Sequence, residues 1–88
     1  MGDYMKKFLV VIKRKPSFTG KTLQEHREFL QELRKSELLV MAGGFEDQSG
    51  GAYILQSFSL EEARNIVDRD PMNHENESVY KVKEWNAV

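Results

Sequence analysis

The sequence has 88 residues, enough for one small domain with a core that is marginal for a lone monomer. Its 13 basic and 14 acidic residues are interspersed and give a formal net charge of −1, which disfavours partners such as nucleic acid or an anionic membrane. It contains no cysteine, which excludes disulfides, thiol catalysis and cysteine-ligated metal sites. We expect a single domain over residues 1–88 with a folded core at about 5–86.

The longest apolar run covers residues 8–12 and is far too short for a membrane span or the core of a signal peptide. A small domain without disulfides fits a reducing compartment. We therefore expect a cytoplasmic protein with no membrane partner. Residues 1–5 are interpreted as a short leader before the folded part.

Apolar periodicity and turn residues predict six elements. In chain order they are a strand over 8–13, a helix from a capping box at 22–25 to about residue 35, a strand over 38–42, a strand over 52–56, a helix from a capping box at 59–62 to residue 70, and an edge strand over 79–85. The order predicts an α+β, ferredoxin-like βαββαβ fold, a four-stranded antiparallel sheet with two helices on one face.

Three connections carry further expectations. The loop over 15–21 holds Phe18, which could fold over a pocket, and the glycine pairs at 43–44 and 50–51 are interpreted as turns rather than phosphate loops. The segment over 72–78 is polar and irregular, and its His74 is interpreted as a solvated loop residue.

The first three strands are apolar on both faces, whereas two helices cover only one face of a sheet. An uncovered apolar face predicts a partner, most simply a second copy packed sheet to sheet. We therefore expect a homodimer. Tyr80 and Trp85 are interpreted as core or dimer contacts.

The first helix carries a histidine on its apolar stripe. Leu23, His26, Leu30 and Leu33 share one face, so His26 should point inward. The nearby positive helix end and the apolar surroundings favour a neutral ring that could act as a general base. The alternative is a core histidine bonded to backbone groups or water.

Asp70 precedes Pro71 at the predicted end of the second helix, where the helix dipole disfavours a carboxylate. The alternative to a functional role is an aspartate that organises a turn before proline. If the two helices run antiparallel side by side, Asp70 and His26 could meet. The carboxylate would then fix the tautomer of a general base.

Other catalytic arrangements have weaker support. Ser49, Ser57 and Ser59 carry no nucleophile signature, and two histidines in separate elements do not make a metal site. We expect no metal and no cofactor.

The chain resembles the YCII-related (YciI-like) family from about residue 5 to 85. The resemblance is carried by the segments 8–12, His26 with Phe29, Leu30 and Leu33, Leu38-Leu39, Ala42-Gly43, Gly50-Gly51, 59–63, Asp70-Pro71, and Val82 with Trp85. This sequence departs from the family pattern at Ser36-Glu37, where a glycine is usual, at Gly44, where a proline is usual, and in its more polar segment 72–78.

The resemblance implies a dimeric α+β barrel with ferredoxin-like subunits and a His–Asp catalytic dyad at His26 and Asp70. It also implies acid–base chemistry, namely proton abstraction with elimination or isomerisation of a small cyclic or aromatic compound. The alternative is a non-catalytic small-molecule-binding or regulatory dimeric module. An oxygenase of the same architecture is less favoured, since the sequence carries no haem or flavin motif.

Overall fold

The structure, a computed structural model, describes residues 5–88. Apart from Met5, the leader expected at residues 1–5 lies outside the described residues. The elements are β1 (Lys6–Arg14), α1 (Leu23–Lys35), β2 (Leu39–Gly44), β3 (Gly50–Ser57), α2 (Leu60–Val67) and β4 (Ser78–Trp85). The βαββαβ order is the predicted one.

The four strands form one antiparallel sheet in the order β2-β3-β1-β4. At its centre, Val10 of β1 lies opposite Tyr53 of β3 and Val82 of β4. β4 is an edge strand, as its alternating sequence predicted. This is a ferredoxin-like fold, as expected from the order of the elements.

One face of the sheet forms the hydrophobic core. Alternate residues of β1 are buried, namely Phe8, Val10 and Ile12, and Tyr53 and Leu55 of β3 lie beside them. Both helices cover this face with the side chains Leu33, Ala63, Ile66 and Val67. Each fully buried aliphatic or aromatic side chain contributes roughly 1.5–3 kcal/mol of transfer free energy, so this layer holds the helices on the sheet.

The opposite face of the sheet, which we call the open face, is covered by no helix of residues 5–88. It presents Leu9, Val11 and Ile54, which are half-buried, and the side chains of Met41 and Trp85, which are 59% and 44% exposed. The sheet is therefore apolar on both faces, as the sequence predicted.

The glycine pairs were expected to form turns, but the structure places all four glycines inside β2 and β3, which makes that prediction wrong. Gly44 pairs with Gly51, and a Cβ atom on Gly51 would lie 2.5 Å from the carbonyl oxygen of Gly43. Glycine is needed here because the two backbones approach too closely for a side chain. The strands are consequently longer than predicted.

The two predicted capping boxes behave differently. Ser59 Oγ accepts a hydrogen bond from Glu62 N at 3.1 Å, as predicted for α2. Thr22 precedes α1, but its hydroxyl makes no capping bond and is buried without a partner among residues 5–88. Its backbone, at φ −105° and ψ 8°, differs from the extended conformation of Ser59, at φ −153° and ψ 160°, from which a side chain caps.

The helix ends also differ from the prediction. α2 ends at Val67, not at Asp70, so Asp70 lies in the connection to β4 and outside the helix. After α1, Glu37 has a φ of 62°, a left-handed conformation that glycine adopts at lower cost, which explains the glycine usual in the resembling family. Neither helix of the described part of the chain is long and apolar enough to cross a bilayer.

Candidate active site

His26 and Asp70, the two residues singled out in the sequence, are in contact. Nδ1 of His26 lies 2.8 Å from Oδ1 of Asp70 and 3.0 Å from Oδ2. His26 lies on the buried face of α1 and is 8% exposed, and Asp70 is 2% exposed. α1 and the connection after α2 bring these residues together across the core face.

Asp70 accepts three more hydrogen bonds. The hydroxyls of Tyr53 and Tyr80 donate to Oδ2 at 3.0 Å and 2.8 Å, and the backbone N–H of Met72 donates to Oδ1 at 3.0 Å. The bond from Met72 closes a turn before β4. The alternative interpretation of Asp70, an aspartate that organises a turn before proline, expected such a turn. Asp70 therefore organises a turn and also holds His26.

Tyr53 was not singled out in the sequence. Tyr80 packs against the core, as one of its two interpretations expected, and its bond to Asp70 was not foreseen. Tyr53 lies at the centre of β3 on the core face, and Tyr80 lies on β4 opposite Ile12. A tyrosine at an inward position of a strand needs a partner for its hydroxyl, and that signal could have indicated a buried acceptor. The identity of the acceptor, far away in sequence, could not be inferred.

The two tyrosines are proton donors throughout the neutral range. Burial, followed by the negative charge of Asp70 and the hydrogen bond to it, raises the pKa of Tyr53 well above its ordinary value. The same causes raise the pKa of Tyr80, and Tyr53 adds to them. The Asp70 side chain is therefore surrounded by hydrogen-bond donors.

This arrangement selects one tautomer of His26. A carboxylate is an acceptor only, so Nδ1 must carry the hydrogen that meets Asp70. The neutral ring then has its lone pair on Nε2. The same arrangement of a histidine and an aspartate occurs in Ser-His-Asp catalytic triads, which also contain a nucleophile.

A cavity of about 270 Å³ adjoins His26. Its apolar side chains come mainly from Ile12, Leu23, Leu30 and Met72, and the paired glycines of β2 and β3 form one side of it. Met72 belongs to the segment over 72–78, which thus borders the cavity.

A larger open groove of about 550 Å³ runs between α2 and β4 and is lined in part by Arg64, Asp68 and Tyr80. His26 does not line it, although Tyr80 does. The smaller cavity is the candidate site because it adjoins His26, whose Nε2 makes no hydrogen bond to another of residues 5–88.

The loop over 15–21 is held in place by a buried carboxylate. Glu77 is 1% exposed and accepts hydrogen bonds from the backbone N–H groups of Thr19 and Gly20 and from the Thr19 hydroxyl. Burial alone would raise the pKa of Glu77, but these bonds and the charge of Lys21 outweigh it and lower that pKa. The sequence analysis, which treated 72–78 as a polar irregular segment, did not foresee this role; His74 is exposed, as expected.

Phe18 has a different role from the expected one. It packs against the core, and the guanidinium carbon of Arg14 lies 4.4 Å from its ring centroid. Phe18 thus supports a cationic side chain that lines the cavity. No group of three or more His, Cys, Asp or Glu side chains that could hold a metal ion occurs within residues 5–88.

Comparisons with known proteins agree with this fold. Residues 6–86 match the family sequence profile of the YCII-related domain. The uncharacterized protein YjpA of Bacillus subtilis (strain 168) is 37% identical over 78 residues, which cover 89% of this chain and 92% of that protein.

Two solved structures are similar in fold. The 5-chloro-2-hydroxyhydroquinone dehydrochlorinase TftG of Burkholderia phenoliruptrix AC1100, in complex with 2,5-dihydroxybenzoquinone, superposes with a TM-score of 0.73 at 20% identity and covers 93% of this chain and 95% of its own. MtbAldR superposes with a TM-score of 0.64 at 10% identity, over 96% of this chain and 55% of its own. At these identities the similarity establishes the fold alone.

Proposed function

Because the chain belongs to the YCII-related domain family, we propose that it is an acid–base enzyme that removes a proton from a small cyclic or aromatic compound. In this proposal His26 is the general base, Asp70 orients it, and the reaction is an elimination or an isomerisation. The observation that carries the proposal is the bond between His26 Nδ1 and Asp70, which leaves Nε2 as the proton acceptor beside a cavity.

The proton transfer balances within the site. Nε2 takes a proton from a carbon of the substrate, and the electron pair of that C–H bond forms a double bond. In an elimination the leaving group departs with its own bonding pair, and in an isomerisation the proton returns to another carbon. The imidazolium formed in the step is stabilised by the adjacent Asp70 carboxylate. Such a step requires no cofactor.

Tyr53 and Tyr80 support this role by holding the carboxylate. Their hydroxyls and the N–H of Met72 leave Asp70 little freedom to turn away from the imidazole. A base whose orientation is fixed before the substrate arrives loses no rate to reorganisation.

The dehydrochlorinase with the same fold suggests which compounds to test first. Hydroxyquinones and phenols, including 5-chloro-2-hydroxyhydroquinone and 2,5-dihydroxybenzoquinone, would be incubated in D₂O with the protein and followed by NMR. Enzyme-dependent exchange of a ring proton, or loss of a leaving group, is the expected result. General-base catalysis is typically worth about 10²–10⁴-fold, so His26→Gln should reduce the rate by that factor.

Arg34→Gln is the matched control, because it removes an exposed charge from the last turn of the same helix. It should retain the wild-type rate. If these compounds bind beside His26 without any exchange or elimination, the enzyme proposal is wrong. The protein would then be a non-catalytic small-molecule-binding or regulatory module.

We also propose that the protein acts in the cytoplasm as a homodimer, in which two copies pack through the open face. The exposed Met41 and Trp85 and the half-buried Leu9, Val11 and Ile54 support this proposal, because a second copy would remove all of them from water. A groove of about 390 Å³ on this face, lined in part by Met41, Ile54 and Trp85, offers space for an apolar side chain of the partner.

A further inference from the structure

We infer that the cavity beside His26 binds a small organic anion and that Arg14 holds the acidic group of this ligand. The acidic group is a carboxylate or an ionised phenol or enol. The inference rests on the proposed function for the choice of cavity, but it concerns binding and not proton transfer.

The first support is the charge of the cavity lining. The basic side chains in the lining are Arg14, His26 and Arg27, and no Asp or Glu belongs to the lining. Asp70 lies behind the imidazole and has a fully buried side chain. The cavity is therefore cationic although the whole chain has a net charge of −1. A bound anion would complement this positive charge.

The second support is the way in which Arg14 is held. Its backbone N–H donates to the carbonyl oxygen of Ser49 at 2.9 Å, and its Nη1 donates to the carbonyl oxygen of Gln48 at 3.2 Å. Its guanidinium lies over the ring of Phe18. The Nη1 bond and the ring contact hold a long side chain that would otherwise lose conformational entropy on binding a ligand.

The third support is unused donor capacity. Arg14 takes part in none of the ion pairs formed by residues 5–88. A guanidinium has five N–H donors, and in Arg14 a backbone carbonyl and an aromatic face take the place of the usual carboxylate. A bound anion would supply the missing charge.

The other walls of the cavity indicate what the anion carries. Leu23, Leu30 and Met72 are apolar, and the glycines of β2 and β3 leave room for a flat group. The volume of about 270 Å³ is at the small end of ligand cavities, which are typically about 300–1,000 Å³. A small ring with one acidic substituent fits these walls.

Benzoate and benzamide form a matched pair of probes, because they share a ring and a shape but differ in charge. Each would be titrated into the protein under ¹H–¹⁵N NMR, with the backbone amides of His26 and Gly51 and the side-chain Nε–H of Arg14 as reporters. Benzoate should shift all three reporters and bind at least about tenfold more tightly than benzamide. That ratio corresponds to one charge-assisted hydrogen bond.

Arg14→Gln should weaken benzoate binding about tenfold or more and leave benzamide binding unchanged. Arg34→Gln is the control for the loss of one positive charge and should leave both affinities unchanged. If Arg14→Gln does not give a folded spectrum, Arg14→Lys replaces it. This variant keeps the charge but loses the planar fork, so it should weaken benzoate binding by less than about tenfold and leave benzamide binding unchanged.

Equal affinity for benzoate and benzamide, or no shift at the three reporters with either, would overturn the inference. So would an Arg14→Gln variant that binds benzoate as the wild type does. Acetate that binds as tightly as benzoate would contradict the apolar part of the site. Since no turnover is measured, charge-selective binding that persists in His26→Gln would support the anion site even if the catalytic proposal failed.

Discussion

Nδ1 of His26 lies 2.8 Å from Oδ1 of Asp70 and 3.0 Å from Oδ2, so a single ring nitrogen meets both oxygens of a buried carboxylate. Two tyrosine hydroxyls and a backbone N–H hold the carboxylate from its other sides. The imidazole can therefore present only Nε2 to a ligand.

Replacing Asp70 with asparagine should impair proton abstraction while the protein stays folded. The amide oxygen still accepts from Nδ1 of His26, but the imidazolium formed in the reaction loses its counter-charge. We expect the rate of substrate proton exchange to fall about 10²–10⁴-fold. Asp68→Asn, which changes an exposed carboxylate two residues earlier, should keep the wild-type rate. Equal rates in the two variants would show that Asp70 has no catalytic role.

Removing either tyrosine hydroxyl should destabilise the fold. Tyr53→Phe and Tyr80→Phe each delete a hydrogen bond to the Asp70 carboxylate, and such bonds to charged groups are worth about 1.5–3 kcal/mol. Urea unfolding measures the loss of the free energy of unfolding. Because both hydroxyls donate to Oδ2, the double variant should lose an amount that differs from the sum of the two losses.

The contribution of the two tyrosines to the free energy of unfolding should be lost only at high pH. The pKa of each phenol is raised in the folded protein above its ordinary value of 10.0, so its stabilising contribution is complete below pH 10. It is lost as the pH rises above 10, where the unfolded chain ionises first. The stability difference between wild type and Tyr80→Phe should be constant from pH 6 to 9. A difference that disappears within that range would contradict the raised pKa.

Glu77 should stabilise the protein at neutral pH and not in acid. Its pKa is lowered below the ordinary value of 4.5, so its contribution is present above pH 4.5 and is lost as the pH falls through the folded-state value. Glu77→Gln should therefore lower Tm at pH 7, and the difference from wild type should shrink towards pH 3. Glu75→Gln, in the same connection but exposed, should leave Tm unchanged at both values.

A methyl group should be tolerated at Gly43 and not at Gly51. The added Cβ would have no heavy atom within 4 Å at Gly43, whereas at Gly51 it would lie 2.5 Å from a backbone oxygen and would push β2 and β3 apart. Gly51→Ala should lower the free energy of unfolding by about 1–3 kcal/mol, as overpacking does. Gly43→Ala should change it by less than about 0.5 kcal/mol, the usual range for exposed positions.

The homodimer proposal predicts that a charge on the open face prevents assembly. Wild-type protein at micromolar concentration should sediment as a dimer, and Met41→Glu should sediment as a monomer. Burying the new carboxylate against an apolar face would cost far more than the contact provides. Gln31→Glu places the same charge on the exposed surface of α1, on the other side of the sheet, and should remain dimeric. A monomeric wild type would refute the proposal.

Several features were predictable because local rules determine them. The period of the apolar residues gave the order of the six elements and placed His26 on the inner face of α1. Ser59 was recognised as a helix cap for the same reason, since the bond it accepts comes from a residue only three positions away. The apolar character of both sheet faces was also visible, because successive residues of a strand point to opposite sides.

The sequence by itself thus determined the fold, the inward direction of His26 and the two-faced sheet, and it made contact with Asp70 a reasonable hypothesis. Only the tertiary structure decided that Tyr53 and Tyr80 complete the surroundings of Asp70, that the glycine pairs lie inside paired strands, that Glu77 anchors the loop over 15–21, and that Arg14 lies over Phe18. The physical reason is the distance along the sequence between the residues that make contact. Helix caps and apolar stripes depend on neighbours a few residues away, whereas each of the other contacts except Arg14 to Phe18 joins separate elements whose register and spacing are set by the packing of the whole core.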